Sequence, residues 1–118
     1  MDRKERRARR LTRLDEAVAR LRSELPAKAV SLGVRRALLF GSTARGTHDW
    51  RSDIDLIVVQ ETDQPFVRRG QDIIAALGLG IGIDLLVYTP SEWAGVQESS
   101  RLVRRAVREG ETLYVADA

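Results

Sequence analysis

The 118-residue sequence contains no cysteine and only one histidine, His48. Disulfide bonds and thiolate metal sites are therefore excluded, and so is a zinc site built from several histidines. No apolar run approaches the roughly 20 residues that a membrane-spanning helix requires. The charged first residues lead into no apolar segment, which is unlike a secretory signal. We therefore expect a cytoplasmic protein that does not cross a membrane.

An excess of charge of one sign is confined to the first ten residues. The net charge is +3, but residues 1–10 alone hold six basic and two acidic side chains. The remaining chain is therefore close to neutral, which argues against nucleic acid as the main partner. We interpret the basic end first as a solvated helix. A contact with a partner protein and a contact with nucleic acid are the alternatives.

A single domain is expected, because 118 residues of which 43% are hydrophobic suffice for one core. Apolar residues at spacings of three and four predict a basic N-terminal helix over about residues 3–31, which Pro26 should kink or end. Apolar runs between turn signals predict strands at residues 36–40, 53–60, 83–88 and 112–115.

Helical segments alternate with these strands. We expect one helical turn at residues 43–46 and longer helices at 66–77 and 99–109. The last helix should face inward with Leu102, Val103, Ala106 and Val107. Thr89, Pro90 and Glu92 have the form of a capping box, so a further helix begins there. The order is typical of an α/β fold in which helices pack on a small mixed β-sheet.

Two acidic residues stand at the start of the most apolar predicted strand. Asp53 and Asp55 flank Ile54 and should share one face of the strand, about 7 Å apart. Asp84 holds the same position in the next predicted strand. If the two strands are neighbours, three carboxylates meet at one end of the sheet.

Such a cluster needs a counter-charge, because carboxylates that crowd together raise one another's pKa. Carboxylate oxygens suit Mg²⁺ or Mn²⁺, and two such ions can stabilise the attacking and leaving oxygens of a phosphoryl displacement. Gly41 and Ser42 precede the acids by ten residues. A glycine lets the backbone approach a phosphate, and the serine amide and hydroxyl can donate to its oxygens.

The pattern Gly41-Ser42, ten residues, Asp53-x-Asp55 and a later strand aspartate resembles the nucleotidyltransferase superfamily that includes DNA polymerase beta. The stretches GSTARG and SDIDLIV are similar to those of the minimal nucleotidyltransferases, the MNT proteins. The ending RLVRRAVREGETLY is also similar to theirs. The resemblance covers about residues 32–115 and implies one minimal domain with a polymerase beta palm-like fold.

The resemblance implies a role for each matching residue. Gly41 and Ser42 would hold the triphosphate of ATP, with Arg45 as a further phosphate contact. Asp53 and Asp55 would bind two Mg²⁺ ions. Asp84 would hold the catalytic ion and help to deprotonate the acceptor. Many MNT proteins are antitoxins paired with a HEPN-domain toxin, and some neutralise it by adding AMP to a tyrosine.

Other interpretations remain open at this point. The protein could be a binding module that only occludes its toxin, or it could transfer a nucleotide to a small molecule. Arg45 is equally well explained as a surface arginine of a turn. His48 is expected to be a solvated loop residue rather than a base, and Trp50 to be partly buried under its loop rather than stacked on a base.

Overall fold

The computed structural model describes residues 1–117. Five α-helices, four strands and a short 3₁₀ turn at Phe66–Arg68 follow one another along the chain. The helices are α1 (Arg3–Lys28), α2 (Gly41–Arg45), α3 (Gln71–Leu77), α4 (Pro90–Ser99) and α5 (Arg101–Glu109). The strands are β1 (Val34–Phe40), β2 (Ile54–Gln60), β3 (Ile83–Tyr88) and β4 (Glu111–Val115). Within residues 1–117, no helix has the length and apolarity needed to cross a membrane.

The four strands form one mixed sheet in the order β3-β2-β1-β4. Strand β1 is antiparallel to both β2 and β4, whereas β2 and β3 are parallel. The crossover between the two parallel strands contains α3. The expected α/β fold with a small mixed sheet is confirmed, including β4 at the edge.

The two faces of the sheet carry separate apolar clusters. Alternate strand residues such as Leu39 and Leu56 pack with α1 and α3, while Leu38 and Ile57 pack with α4 and α5. Side chains two residues apart on a strand share a face. Asp55 lies two residues before Ile57, so it is placed on the α4/α5 side.

Helix α1 covers the first face with a single apolar stripe. Its buried side chains are Leu14, Ala17, Val18, Leu21 and Leu25. Asp2 caps its N-terminus by accepting a 2.8 Å hydrogen bond from the amide of Glu5. The helix ends at Lys28, three residues before the predicted end, and Pro26 lies in its last turn. Turns then lead to β1.

The single helix predicted over residues 66–77 is wrong. Gly70 has a φ of +87°, which interrupts the helical path between the 3₁₀ turn and α3. A Cβ at this position would lie 2.5 Å from the Leu85 side chain, so the backbone there packs closely on β3. Phe66 and Val67, two of the apolar residues in this segment, are 49% and 88% exposed.

The helix start at Thr89 is confirmed as a full capping box with Pro90 in the first turn. In α5, only two of the four residues expected to face inward do so. Val103 and Ala106 are buried, whereas Leu102 and Val107 are 49% and 37% exposed. A helix of two and a half turns on a flat sheet buries a narrow stripe, and the residues flanking that stripe remain outside.

Replacing Leu21 with alanine should lower the free energy of unfolding by about 2–5 kcal/mol, because a fully buried leucine leaves a cavity. Urea denaturation followed by circular dichroism measures the loss. Leu102→Ala, the same change at a half-exposed position, is the matched control and should cost far less. Equal losses for the two variants would contradict the assignment of the core.

Candidate active site

Asp55 and Asp84 face each other across the parallel strands β2 and β3, where they are register partners. Burial raises the pKa of Asp55, and the charges of Asp84 and Asp53 and a hydrogen bond with Asp84 raise it further. The positive charge of Arg45 acts in the opposite direction and lowers the pKa of Asp55. The expected meeting of acids from two neighbouring strands is thus observed for this pair.

Gly41 lies directly against the Asp55 carboxylate, at the point where β1 passes into α2. Phe40, the last residue of β1, is the register partner of Asp55. Gly41 has a φ of +73°, and a Cβ built on it would lie 2.3 Å from the Oδ2 atom of Asp55. Only glycine satisfies both constraints. Ser42 follows it in the first turn of α2.

Asp53 reaches the same end of the sheet but is held by a different element. It precedes β2 by one residue, and its side chain is 49% exposed. Its Oδ1 atom accepts a 3.3 Å hydrogen bond from Nη2 of Arg10, which also donates to the carbonyl of Ser52 at 3.3 Å. Arg10 was not identified from the sequence. One indication was available. Arg10 lies four residues before Leu14 and is therefore on the side of α1 that faces the sheet.

The carboxylates at this end of the sheet are suitable ligands for a divalent cation, but they do not form a complete metal site by themselves. Within residues 1–117, no group of three or more His, Cys, Asp or Glu side chains is arranged so that it could hold a metal ion. Two oxygen-bearing side chains, Asp55 and Asp84, already face each other and repel. Mg²⁺ commonly takes one or two carboxylates and completes its shell with water and substrate phosphates. Asp53 would become available if it left Arg10.

A cavity of about 350 Å³ opens beside Gly41, between the end of β1, α2 and α5. This volume lies within the range typical of small-molecule sites. Its lining residues combine an apolar wall with three arginines and one glutamate: Phe40, Gly41, Arg45, Arg101, Leu102, Arg105, Ala106, Glu109 and Gly110. Arg45 was a candidate from the sequence. The α5 residues were missed because the helix had been expected to face the core.

Three further residues lie outside the carboxylate pair: His48 and Trp50, whose roles the sequence left open, and Tyr88. His48 contacts the Oδ1 atom of Asp15 through its Nε2 atom at 2.6 Å, which fixes the α2–β2 loop to α1. Trp50 is 37% exposed and lies beneath the guanidinium of Arg7. Tyr88 packs between the rings of Phe66 and Trp93 at the end of β3.

The model of the family described as the nucleotidyltransferase domain matches residues 15–110. The chain belongs to this family. The match includes β1 to α5 and therefore every acid and glycine of the site. As a nucleotidyltransferase domain, the protein is placed among transferases whose substrate is a nucleotide, and its mixed sheet with flanking helices is the fold of that family.

Two solved structures are similar to this nucleotidyltransferase domain. One is described as a toxin-antitoxin with AMP-PNP; it has 21% identity and a TM-score of 0.50, over 87% of this chain and 73% of that one. The other is described as a nucleotidyltransferase from Sulfolobus solfataricus, with 19% identity and a TM-score of 0.46 over 89% and 83% of the two chains. The comparison with curated proteins found no significant match.

Asp55→Asn should raise the melting temperature at pH 7 in metal-free buffer, because it removes a repelled carboxylate. The folded state raises the pKa of Asp55 above the ordinary 3.8, so the destabilisation is complete above the raised pKa and vanishes below 3.8. The advantage of the variant should therefore shrink on acidification. Thermal denaturation between neutral and acidic pH measures it.

Asp49→Asn is the control for this prediction. Hydrogen bonds from Arg51 lower the pKa of Asp49, so the same substitution there should be neutral or destabilising at pH 7. A stabilising effect of equal size at both positions would show that general acidity, and not the facing pair, is responsible.

Proposed function

We propose that this protein is a Mg²⁺-dependent nucleotidyltransferase that transfers AMP from ATP to a tyrosine hydroxyl of a HEPN-domain toxin, and that this transfer makes it an antitoxin. The observation that carries the proposal is the facing pair of Asp55 and Asp84 with Gly41 packed against it and a ligand-sized cavity alongside. A repelling pair of acids beside a close backbone approach is the arrangement expected where phosphates and cations bind together.

In the proposed reaction, the oxygen of the acceptor hydroxyl attacks the α-phosphorus of ATP. The bond from that phosphorus to the oxygen bridging to the β-phosphate breaks, and pyrophosphate leaves. Asp84 is the exposed member of the pair, which supports its proposed role of taking the hydroxyl proton. Asp55 and Asp84, joined by Asp53, would hold Mg²⁺, which supplies charge neutralisation at the phosphates when bound.

The cavity beside Gly41 is the proposed site of the nucleotide. Gly41 allows the chain to approach the phosphates, and the amide and hydroxyl of Ser42 are donors next to it. Arg45, Arg101 and Arg105 supply positive charge around the opening, and Leu102 supplies an apolar wall. Leu102, which flanks the buried stripe of α5, would pack against a nucleobase or ribose in this cavity.

The choice of a toxin as acceptor is supported by two observations. The similar structure is described as a toxin-antitoxin with AMP-PNP, which is an ATP analogue. The side chain of Asp84 is exposed at the end of β3, so a hydroxyl on another protein can reach it. A recessed acid would instead favour a small acceptor.

A second candidate function, occlusion of the toxin without chemistry, is favoured by one specific observation. Arg10 holds Asp53, and within the described residues no three acids are positioned to share an ion. If that arrangement persists in the complex, binding alone would neutralise the toxin.

A double Asp53→Asn, Asp55→Asn variant should abolish transfer from ATP labelled at the α-phosphate to a co-purified HEPN toxin. The labelled protein is detected after electrophoresis, and its modified residue by mass spectrometry. Asp63→Asn, an exposed acid remote from the pair, is the control and should label normally. Chelation of Mg²⁺ should stop labelling in both active proteins.

The same variants decide between transfer and occlusion. If the double variant still neutralises the toxin fully in a growth assay, occlusion is sufficient and the catalytic account of neutralisation is wrong. If the wild-type protein binds the toxin and labels no hydroxyl on it, the proposed acceptor is wrong.

Gly41→Ala should reduce the rate of transfer by about 100-fold, because the added Cβ would displace the Asp55 carboxylate by roughly an ångström. Gly46→Ala is a close control. Gly46 has a φ of +72°, but nothing lies within 4 Å of the position of its Cβ. Both substitutions place alanine at nearly the same positive φ, so equal rates in an initial-rate assay would contradict the role of the close contact.

A further inference from the structure

The inward stripe of α1 changes its chemistry along the helix. From Leu14 onward it is apolar and buried, but at its N-terminal end the same three- and four-residue spacing places Arg3, Arg7 and Arg10. The residues before Arg10 are exposed. The helix therefore extends past the core, and the side that elsewhere packs on the sheet presents a row of guanidinium groups there.

These arginines meet a tryptophan from the α2–β2 loop. The guanidinium of Arg7 lies 4.6 Å from the ring centroid of Trp50, and that of Arg51 lies 5.8 Å from it. Together the side chains of Arg3, Arg6, Arg7, Arg10, Trp50 and Arg51 line an open groove of about 690 Å³, which we call the Arg–Trp groove.

Most of the positive charge in the groove is uncompensated. Among residues 1–117, no carboxylate forms an ion pair with Arg3, Arg6 or Arg7. Arg51 is paired with Asp49 at 2.8 Å, and Arg10 with Asp53 at 3.3 Å. The groove is thus locally basic on a protein whose net charge is only +3, which points to a polyanionic occupant.

We propose that the Arg–Trp groove binds a single-stranded nucleic acid, with its phosphates on the arginines of α1 and one base stacked at Trp50. Trp50 favours a nucleic acid over an acidic protein segment as the polyanion that binds. A row of cations suffices for an acidic protein segment. An indole that is 37% exposed becomes a platform for a base once the Arg7 guanidinium above it turns to a phosphate. This inference goes beyond the nucleotidyl transfer proposed above and does not depend on it.

Arg10 connects the groove to the carboxylate end of the sheet. It lines the groove and also donates to Asp53, so a strand bound there would lie next to the acids. Nη1 of Arg10 is buried and has no hydrogen-bond partner among the described residues. The sequence alone favoured a solvated helix for the basic end. It did not indicate that Trp50 packs against these arginines, because Trp50 lies far from them in the chain.

Binding of fluorescein-labelled oligouridine RNA of about 12 nucleotides, a length within the usual site sizes, tests the proposal by fluorescence anisotropy over a range of salt concentrations. Arg3→Gln with Arg7→Gln should weaken binding and reduce the slope of log K against log salt by about 1.4, the value for two lost phosphate contacts on a single strand. Arg9→Gln with Arg68→Gln removes the same charge outside the groove and should leave the slope unchanged.

Trp50 provides an independent readout. Trp50→Leu should weaken binding by roughly tenfold without changing the salt slope, because stacking on a base is lost while the cations remain. In a Trp93→Phe background, Trp50 is the single tryptophan, and its fluorescence should be quenched by the RNA. The quenching does not require a variant at Trp50, so it remains informative if Trp50→Leu folds poorly.

Three results would overturn the proposal. The first is an absence of RNA binding at low salt. The second is an equal loss of affinity in the control pair, which would indicate general charge attraction. The third is binding of polyglutamate as tight as that of RNA and independent of Trp50, which would assign the groove to an acidic protein segment.

Discussion

The site depends on a pairing between two parallel strands that sets like charges opposite each other. Asp55 and Asp84 are register partners, and their mutual repulsion raises the pKa of Asp55 together with its burial. The apolar residues that follow in both strands fix this register, because they must remain between two layers of helices. The core therefore holds in place an arrangement that is unfavourable by itself, and a cation or a proton relieves it.

Much of this arrangement was predictable because it is local in the sequence. Strand alternation placed Asp55 on one face and Ile54 on the other, and the parallel neighbour β3 brought Asp84 to the same end. Gly41, the first residue of α2, was recognised by its spacing from the acids, and the structure supplies the physical reason in its contact with Asp55. The capping box at Thr89 likewise depends on neighbouring residues alone.

The features that escaped prediction depend on contacts between distant segments. Arg10 reaches Asp53 across 43 positions of sequence, and no periodicity in either segment indicates that pair. Leu102 and Leu21 are both leucines at helical spacings, yet one lines an open cavity and the other is fully buried. Gly70 divides a segment whose apolar pattern suggested continuity, because only its backbone dihedral and its contact with Leu85 reveal the break.

The crossover from β2 to β3 has a consequence for how this chain tolerates change. It passes through α3 and a glycine-rich loop, and it leads directly into Ile83 and Asp84, the register partners of Ile54 and Asp55. Side chains alternate along a strand, so an insertion or deletion of one residue that shifted β3 by one position would turn Asp84 toward the α1 layer and bring an apolar neighbour in its place. The glycine-rich loop therefore tolerates little variation in length where it joins β3, because Gly82 lies beside the Asp53 carboxylate and Asp84 follows only two residues later.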